Sequence, residues 1–476
     1  MSLTRSLILL FAGLLLTACK VGPKYRTPST AVPPVFKENP PDYFKESGVF
    51  KEAIPQDALL RGEWWTIFGD PCLNELAQQV RVSNQTIAAA EAQYRAALAA
   101  IGVARADLFP TVTGGLTAVD ARSPSNRVVG QTGVGGTGTF FQLPFLMSYE
   151  VDLWGRIRNT ISANKDLAEA SAADLESIRL SMIAELAADY FQLRGLDLQE
   201  QLLRASVIAF EQALELTTNR YNQGIASGVD VAQAQTQLET TRAQLIDLGV
   251  ARAQFEHAIA MLTGRPPAEL NIAEVTDVFE PPAIPVGLPS DLLQRRPDIA
   301  AAERRVAAAN ADIGVAKAAY FPSITFNGAA GTEGSQIANL LQMPNRFWSI
   351  GATLVQTIFD AGRRKSTVEG TEANYDLTVA NYRQTVLTAF QQVEDNLAAL
   401  RILAQEQRQQ NLATTAAQRS VDLTFNRYRG GITTYIDVIV AQNALLANQR
   451  AEIIVRTTRM TSSVLLIKAL GGVWVR

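Results

Sequence analysis

The clearest pattern in the chain has a period of two. Across 139 to 153, Phe141, Leu143, Phe145, Met147, Tyr149, Val151 and Leu153 are apolar, while Gln142, Ser148, Glu150 and Asp152 fall between them. Such alternation predicts a strand with one apolar and one polar face. A partner strand is expected at 111–120, rich in Thr and Gly. A second pair is expected at 322–333 and 346–360, where Trp348, Ile350, Ala352 and Leu354 alternate with Ser349, Gly351 and Thr353. Aromatic-rimmed strands of this kind suit either a membrane β-barrel or the hairpin of a soluble sandwich.

Most of the remaining chain reads as helix. No proline occurs between 145 and 265 or between 345 and 476. The windows 156–222 and 363–429 are each 67 residues long, which at 1.5 Å per residue gives helices of about 100 Å. In the second window Tyr375, Val379, Tyr382, Val386, Ala389, Val393, Leu397, Leu400 and Ala404 follow the four-three spacing of a coiled-coil seam, with Gln, Asn, Thr and Arg opposite. Helices this long find no core in a single globule, so lateral packing on further copies is expected. Four strands cannot close a membrane barrel either, because open edges are not tolerated in lipid. Oligomerisation answers both needs; two copies would supply eight strands and three would supply twelve, and the pattern does not choose. A further helix is expected from Asp70-Pro71 to about Leu108, after a proline-rich, extended stretch over 20–63.

The chain also contains itself twice. Residues 220–238 (RYNQGIASGVDVAQAQTQL) and 427–445 (RYRGGITTYIDVIVAQNAL) agree at 9 of 19 positions with an offset of 207. The stretch 101–113 answers 313–325, and Gly155-Arg156 answers Gly362-Arg363. One unit is therefore doubled: helix, Phe-Pro, strand, loop, strand, Gly-Arg, long helix, turn, long helix. In each turn Arg220-Tyr221 or Arg427-Tyr428 closes the incoming helix, and Gly224 or Gly431 permits the reversal. Asp230 or Asp437 lies near the next helix start, where an acidic side chain suits unpaired amides.

Composition narrows the chemistry. Lys plus Arg number 43 against 46 Asp plus Glu, so no basic stripe points to nucleic acid. One histidine, His257, and two cysteines cannot build the usual zinc, haem or iron–sulfur ligand sets, and no metal or other cofactor is expected. Residues 1–18 have one Arg, an apolar run from Leu7 to Leu16 and small residues, the layout of a bacterial secretory signal too short to span a bilayer. Leu16-Thr17-Ala18-Cys19 looks like a lipobox, which makes Cys19 the first mature residue and the site of an N-acyl, S-diacylglycerol modification. Lys20, in place of an aspartate, favours delivery to the outer membrane. Cys72 is then a lone thiol.

Cys-x-Val-Gly-Pro-x-Tyr at 19–25, Trp64-Trp65 with Phe68-Gly69-Asp70-Pro71, Tyr149-Glu150-Val151-Asp152-Leu153-Trp154-Gly155-Arg156, Arg296-Pro297-Asp298-Ile299 and Phe321-Pro322 stand in this order along the chain. Together they resemble the outer-membrane efflux lipoproteins, TolC-like outer-membrane factors of the OprM/NodT branch. The resemblance implies a mainly α protein with membrane β structure, assembled as a homotrimer. Each protomer would give four strands to a twelve-stranded outer-membrane barrel continuous with a long periplasmic helical barrel. It implies two repeats, 64–264 and 290–476, joined by a 265–289 equatorial linker after a lipidated 19–63 segment. The partners implied are outer-membrane lipid, a periplasmic membrane-fusion adaptor and an inner-membrane pump of the resistance-nodulation-division type. The turns at Arg220, Tyr221, Gly224 and Asp230 and at Arg427, Tyr428, Gly431 and Asp437 would be the periplasmic tips that meet the adaptor. Many relatives carry an acidic residue just before the Ala-Gln of the second tip; here that position is Val440, one helical turn after Ile436, so an apolar aperture that closes by dewetting is expected.

Rival readings are weaker. Gly133-x-Gly135-x-x-Gly138 lies between strands with no helix following, which fits a loop and not a dinucleotide site. His257 has no nucleophile nearby in sequence, and Ser290-Asp291 and Arg296-Pro297-Asp298 read as helix starts. No enzyme is expected. The remaining alternative, a trimeric coiled-coil structural or adhesive outer-membrane lipoprotein, would carry uninterrupted heptads and no amphipathic strand pairs.

Overall fold

The computed structural model describes residues 20–38, 62–122, 137–275, 279–282, 284, 293 and 295–472. The leader, Cys19, the 39–61 stretch, Gly133, Gly135 and Ser290-Asp291 lie outside the described residues. In chain order the elements are α1 (Pro71–Ser83), α2 (Gln85–Ala106), β1 (Thr111–Gly114), β2 (Thr117–Arg122), β3 (Thr137–Glu150), α3 (Arg156–Asn222), α4 (Gly228–Leu262), α5 (Pro297–Ala318), β4 (Ser323–Gly334), β5 (Arg346–Val355), α6 (Arg363–Arg429) and α7 (Tyr435–Ala469). They form two compact units, one of residues 1–29, 93–172 and 301–382, the other of 30–92, 173–300 and 383–476.

The first unit holds one antiparallel sheet in the order β1/β2, β3, β4, β5. The sequence pattern implied two hairpins; the structure joins them, because β3 pairs with β4 along its length from Phe141↔Gly334 to Glu150↔Thr325. The expected single strand over 111–120 appears as two pieces in one register, Gly114 opposite Phe145 and Thr117 opposite Gln142. The break falls opposite Pro144, which has no N–H to give, while Gly115 N–H still donates to the Pro144 carbonyl at 3.2 Å. The two pieces act as one strand, so among the described residues the sheet is four strands wide.

Register and alternation sort the side chains. Val112, Phe141, Phe145, Met147, Phe326, Ile350, Trp348 and Leu354 share one face, and Thr113, Gln142, Ser148, Asn327, Ser349 and Thr353 share the other. Trp348 and Ile350 remain 77% and 78% exposed in the single chain, so the apolar face is uncovered there. At the sheet's end Trp154 stacks on Phe321 at 4.6 Å and donates Nε1 to the Pro322 carbonyl at 2.8 Å. Asp152 then accepts from the N–H groups of Ile157 and Arg158 at 3.1 and 2.9 Å, satisfying the first turn of α3. In the second repeat Asp360 does the same for Gly362 and Arg364, both at 3.2 Å. The turn there is a residue shorter, and Ala361 is driven to a φ of 53°.

The second unit is helical. The expected single helix from Pro71 to about Leu108 is two helices, because buried Asn84 turns extended. Its Oδ1 accepts from Ile87 N–H at 3.0 Å and its Nδ2 donates to the Leu262 carbonyl at 2.8 Å. Asp70 caps α1 through the N–H groups of Cys72 and Leu73 and accepts the Tyr190 hydroxyl at 2.6 Å. The segment after α4 is pinned by a buried ionic cluster: Asp197 accepts from Arg194 at 3.0 Å and from Arg252 at 2.9 Å, and Arg252 also donates to the Ile272 carbonyl. Arg296 grips Asp298, Gln392 and the Ala469 carbonyl just before Pro297 opens α5. Along α6, Val386, Ala389, Val393 and Leu397 are buried, so the four-three seam is this helix's packed face.

Candidate functional site: the paired helical turns

Two turns reverse the long helices, α3 into α4 and α6 into α7, and the backbone solves both the same way. Gly224 at φ 74° and Gly431 at φ 71° take the left-handed conformation open to glycine. Gly224 N–H donates to the Tyr221 carbonyl at 2.8 Å and Ile225 N–H to the Arg220 carbonyl at 2.9 Å. The second turn repeats this with Gly431 to Tyr428 at 3.0 Å and Ile432 to Arg427 at 2.9 Å. These paired bonds satisfy carbonyls a helix end otherwise leaves open. The next helix is then capped by the acidic residue three positions on. Asp230 and Ser227 bond each other's backbone N–H at 2.9 and 3.2 Å. Asp437 accepts from the Thr434 hydroxyl at 2.9 Å and from the Thr433 hydroxyl, which hold its carboxyl below the usual carboxylate range. Both helices start on a capping-box spacing, Ser227-x-x-Asp230 and Thr434-x-x-Asp437, in which Ser227 and Thr434 join the acidic residues that the sequence marked.

Side chains break the symmetry. Arg220 reaches from the first hairpin to the second, its guanidinium 4.6 Å over the Tyr428 ring and bonded to the Tyr428 and Arg429 carbonyls at 3.1 and 3.3 Å. Tyr428 packs in turn on Tyr435 with ring centroids 5.3 Å apart, within a buried cluster that includes Ala234 and Val438. Burial pushes the Tyr435 hydroxyl up to about 12. The repeat mates behave differently: Tyr221 is half exposed, and Arg427 is exposed. Gly228 stands where the second repeat has Tyr435, so Tyr221 lacks the ring on which Tyr428 packs. Tyr435 is the residue that the sequence pattern missed, and its mismatch with Gly228 was the available sign. Below the turns, Gln237 donates to Asn443 at 2.7 Å, and Leu203, Phe210, Leu238 and Leu446 form the core between the hairpins.

The turns thus bring Arg220, Gly224 and Asp230 together with Arg427, Tyr428, Gly431 and Asp437. Ile436 and Val440 sit one helical turn apart on α7, and both are exposed in the single chain, as are Ile225, Val229 and Ile432. A stripe of exposed aliphatic side chains, flanked by carboxylates already engaged in caps, can exclude water and offer an apolar contact. Elsewhere, His257 is an exposed residue of α4, and Gly138 lies in β3.

Comparison with known proteins gives a consistent picture. A family model described as outer membrane efflux protein matches residues 76–265 and 288–472. The toluene efflux pump outer membrane protein TtgF of Pseudomonas putida is 32% identical over 461 residues, covering 96% of this chain and 95% of the relative. The pyoverdine export outer membrane protein OpmQ of Pseudomonas aeruginosa is 32% identical over 476 residues, covering 99% and 97%. Among solved structures, the outer-membrane channel OprN superposes with a TM-score of 0.85 at 30% identity, covering 95% of this chain and 99% of that one.

Proposed function

The chain belongs to the outer membrane efflux protein family, and from that premise we propose how it serves as the outer-membrane channel component of an efflux system. Three copies associate head to tail, each giving four strands to a twelve-stranded barrel and its long helices to a periplasmic tunnel. The observation that carries this reading is the sheet: one face is apolar and exposed, and among the described residues its outer strands, β1/β2 on one side and β5 on the other, have no partner on their far edges. Two complementary free edges on one sheet call for a heterologous, closing contact. The amphipathic sheet also speaks against a purely structural coiled-coil lipoprotein.

Cys19 carries the lipid that anchors the mature chain, and the two turns are the tips that meet the periplasmic adaptor of an inner-membrane pump. Their aperture is lined by Ile436 and Val440 and closes by dewetting. The two repeats, 64–264 and 290–476, are the units that the pair of family matches supports. Relatives named for toluene and for pyoverdine stand at equal identity, 32%. The duct therefore passes small molecules of diverse chemistry and leaves selection to the pump. The native mass of the full-length protein in mild detergent, followed by conductance in planar bilayers, tests the assembly. A conducting complex of three acylated chains is expected; a folded, non-conducting monomer would refute it.

A further inference from the structure

Residues 20–27, which follow Cys19 directly, are held in place by bonds along their length. Val21 N–H donates to the Trp154 carbonyl at 3.0 Å. Asn159 Nδ2 donates to the Val21 carbonyl at 2.9 Å and Asn310 Nδ2 to the Pro23 carbonyl at 3.0 Å. The Tyr25 hydroxyl donates to Glu303. Asn159, Asn310 and Glu303 are all at least nine-tenths buried, at 2%, 9% and 6% exposure. Three buried polar side chains are therefore committed to one extended segment. The backbones also cross closely: a Cβ on Gly22 would stand 2.8 Å from Gly314 Cα, and one on Gly314 would stand 2.9 Å from the Val21 carbonyl oxygen. Only a pair of glycines permits that approach.

The groove has a defined place. Asn159 lies on α3, in the first repeat, and Glu303, Asn310 and Gly314 lie on α5, in the second, so the segment stitches one repeat to the other. Its start rests on the turn that ends the sheet, where a Cβ on Gly155 would be 3.1 Å from Lys20 Cα. Trp154, in the same turn, is the residue stacked on Phe321. Paired aromatics at the end of an amphipathic sheet mark a membrane interface, and Lys20 is covalently adjacent to Cys19.

We propose that this groove is a receptor for the chain's own N-terminal segment, and that seating the segment fixes the depth at which the acylated Cys19 holds the sheet against the bilayer. Acylation supplies attachment; the seated segment supplies register between anchor and barrel, and assembly requires both. The inference rests on the reading of Cys19 as acylated.

Two variants of the full-length protein test it. Asn159→Ala with Asn310→Ala removes the clamps on the two carbonyls. Insertion of Gly-Ser-Gly-Ser between Lys20 and Val21 keeps every clamp but adds a tether of up to about 14 Å, nearly half the hydrocarbon thickness. The readouts are the mass of the N-terminal peptide and the amount of oligomer in outer membranes. Both variants are expected to keep the acyl mass and to lose oligomer at least fivefold. The insertion separates register from folding, because it leaves the bonds to Val21, Pro23 and Tyr25 intact and frees only Lys20. If either acylated variant assembles within twofold of the parent, the inference is overturned while the acylation reading stands. A parent chain without acyl mass on Cys19 would overturn both.

Discussion

Three glycines hold almost the same left-handed backbone, yet their replacement by valine should have two different outcomes. Gly224, Gly431 and Gly264 have φ of 74°, 71° and 71°. A side chain in this conformation costs about 1–2 kcal/mol, with a β-branched residue at the upper end. Nothing lies within 4 Å of a Cβ built on Gly224 or Gly431, so at the tips that backbone cost is the whole penalty. It is small beside a global stability of about 5–15 kcal/mol. It is comparable, however, to the two hydrogen bonds that shape each turn, at about 1 kcal/mol apiece. The turn should therefore yield while the protein stays folded. At Gly264 the Cβ would meet the backbone carbonyl of Ser83, with its carbon at 2.9 Å. That backbone ends α1 beside the buried Asn84 bond to Leu262, which adds about 1–3 kcal/mol of overpacking. In cells that depend on this channel for export, Gly431→Val should leave protein level and oligomer unchanged and abolish resistance to an exported compound. Gly264→Val should lower the protein level itself. Normal export by Gly431→Val would refute the tips as the functional contact, and a matching fall in its protein level would refute the distinction between open and crowded glycines.

Side chains at these turns, and Ala361 in the turn before α6, make further predictions. Arg220→Ala removes a guanidinium stacked 4.6 Å over Tyr428 and its carbonyl bonds; a double-mutant cycle with Tyr428→Ala should give a coupling of about 1–2 kcal/mol, and single-channel conductance should rise. Val440→Asp should confer block by a trivalent cation that the parent channel ignores, read in planar bilayers. Tyr435, pushed up to about 12 by burial, favours its neutral form in the folded state; its contribution is intact below the unfolded value of about 10 and is lost as pH rises from there to about 12, so Tyr435→Phe should flatten the alkaline arm of a pH–stability curve. Ala361→Gly relieves the left-handed turn before α6 and should raise the thermal midpoint by an amount equivalent to about 1 kcal/mol.

What the sequence disclosed and what it withheld have one physical division. Period and punctuation are local, and they were legible: the proline-free windows delimit α3 and α6, the paired glycines mark the reversals, and the Phe141 to Tyr149 alternation gives the two faces of β3. Partners are not local. No feature of the 322–333 stretch announces that it lies beside β3, because alternation fixes which way a side chain faces and not which strand is its neighbour. The break between β1 and β2 is caused by Pro144 on another strand, and the bend at Asn84 by a carbonyl 178 residues away. The turns make the same point within a repeat. Arg-Tyr is written identically at 220–221 and 427–428, yet one tyrosine is buried and the other is half exposed. The deciding difference is seven residues further on, where Tyr435 supplies a ring and Gly228 supplies none. Where the two copies agree, they share a backbone solution; where they differ, each has acquired its own packing, and it is the difference that lets Arg220 of one hairpin close on Tyr428 of the other.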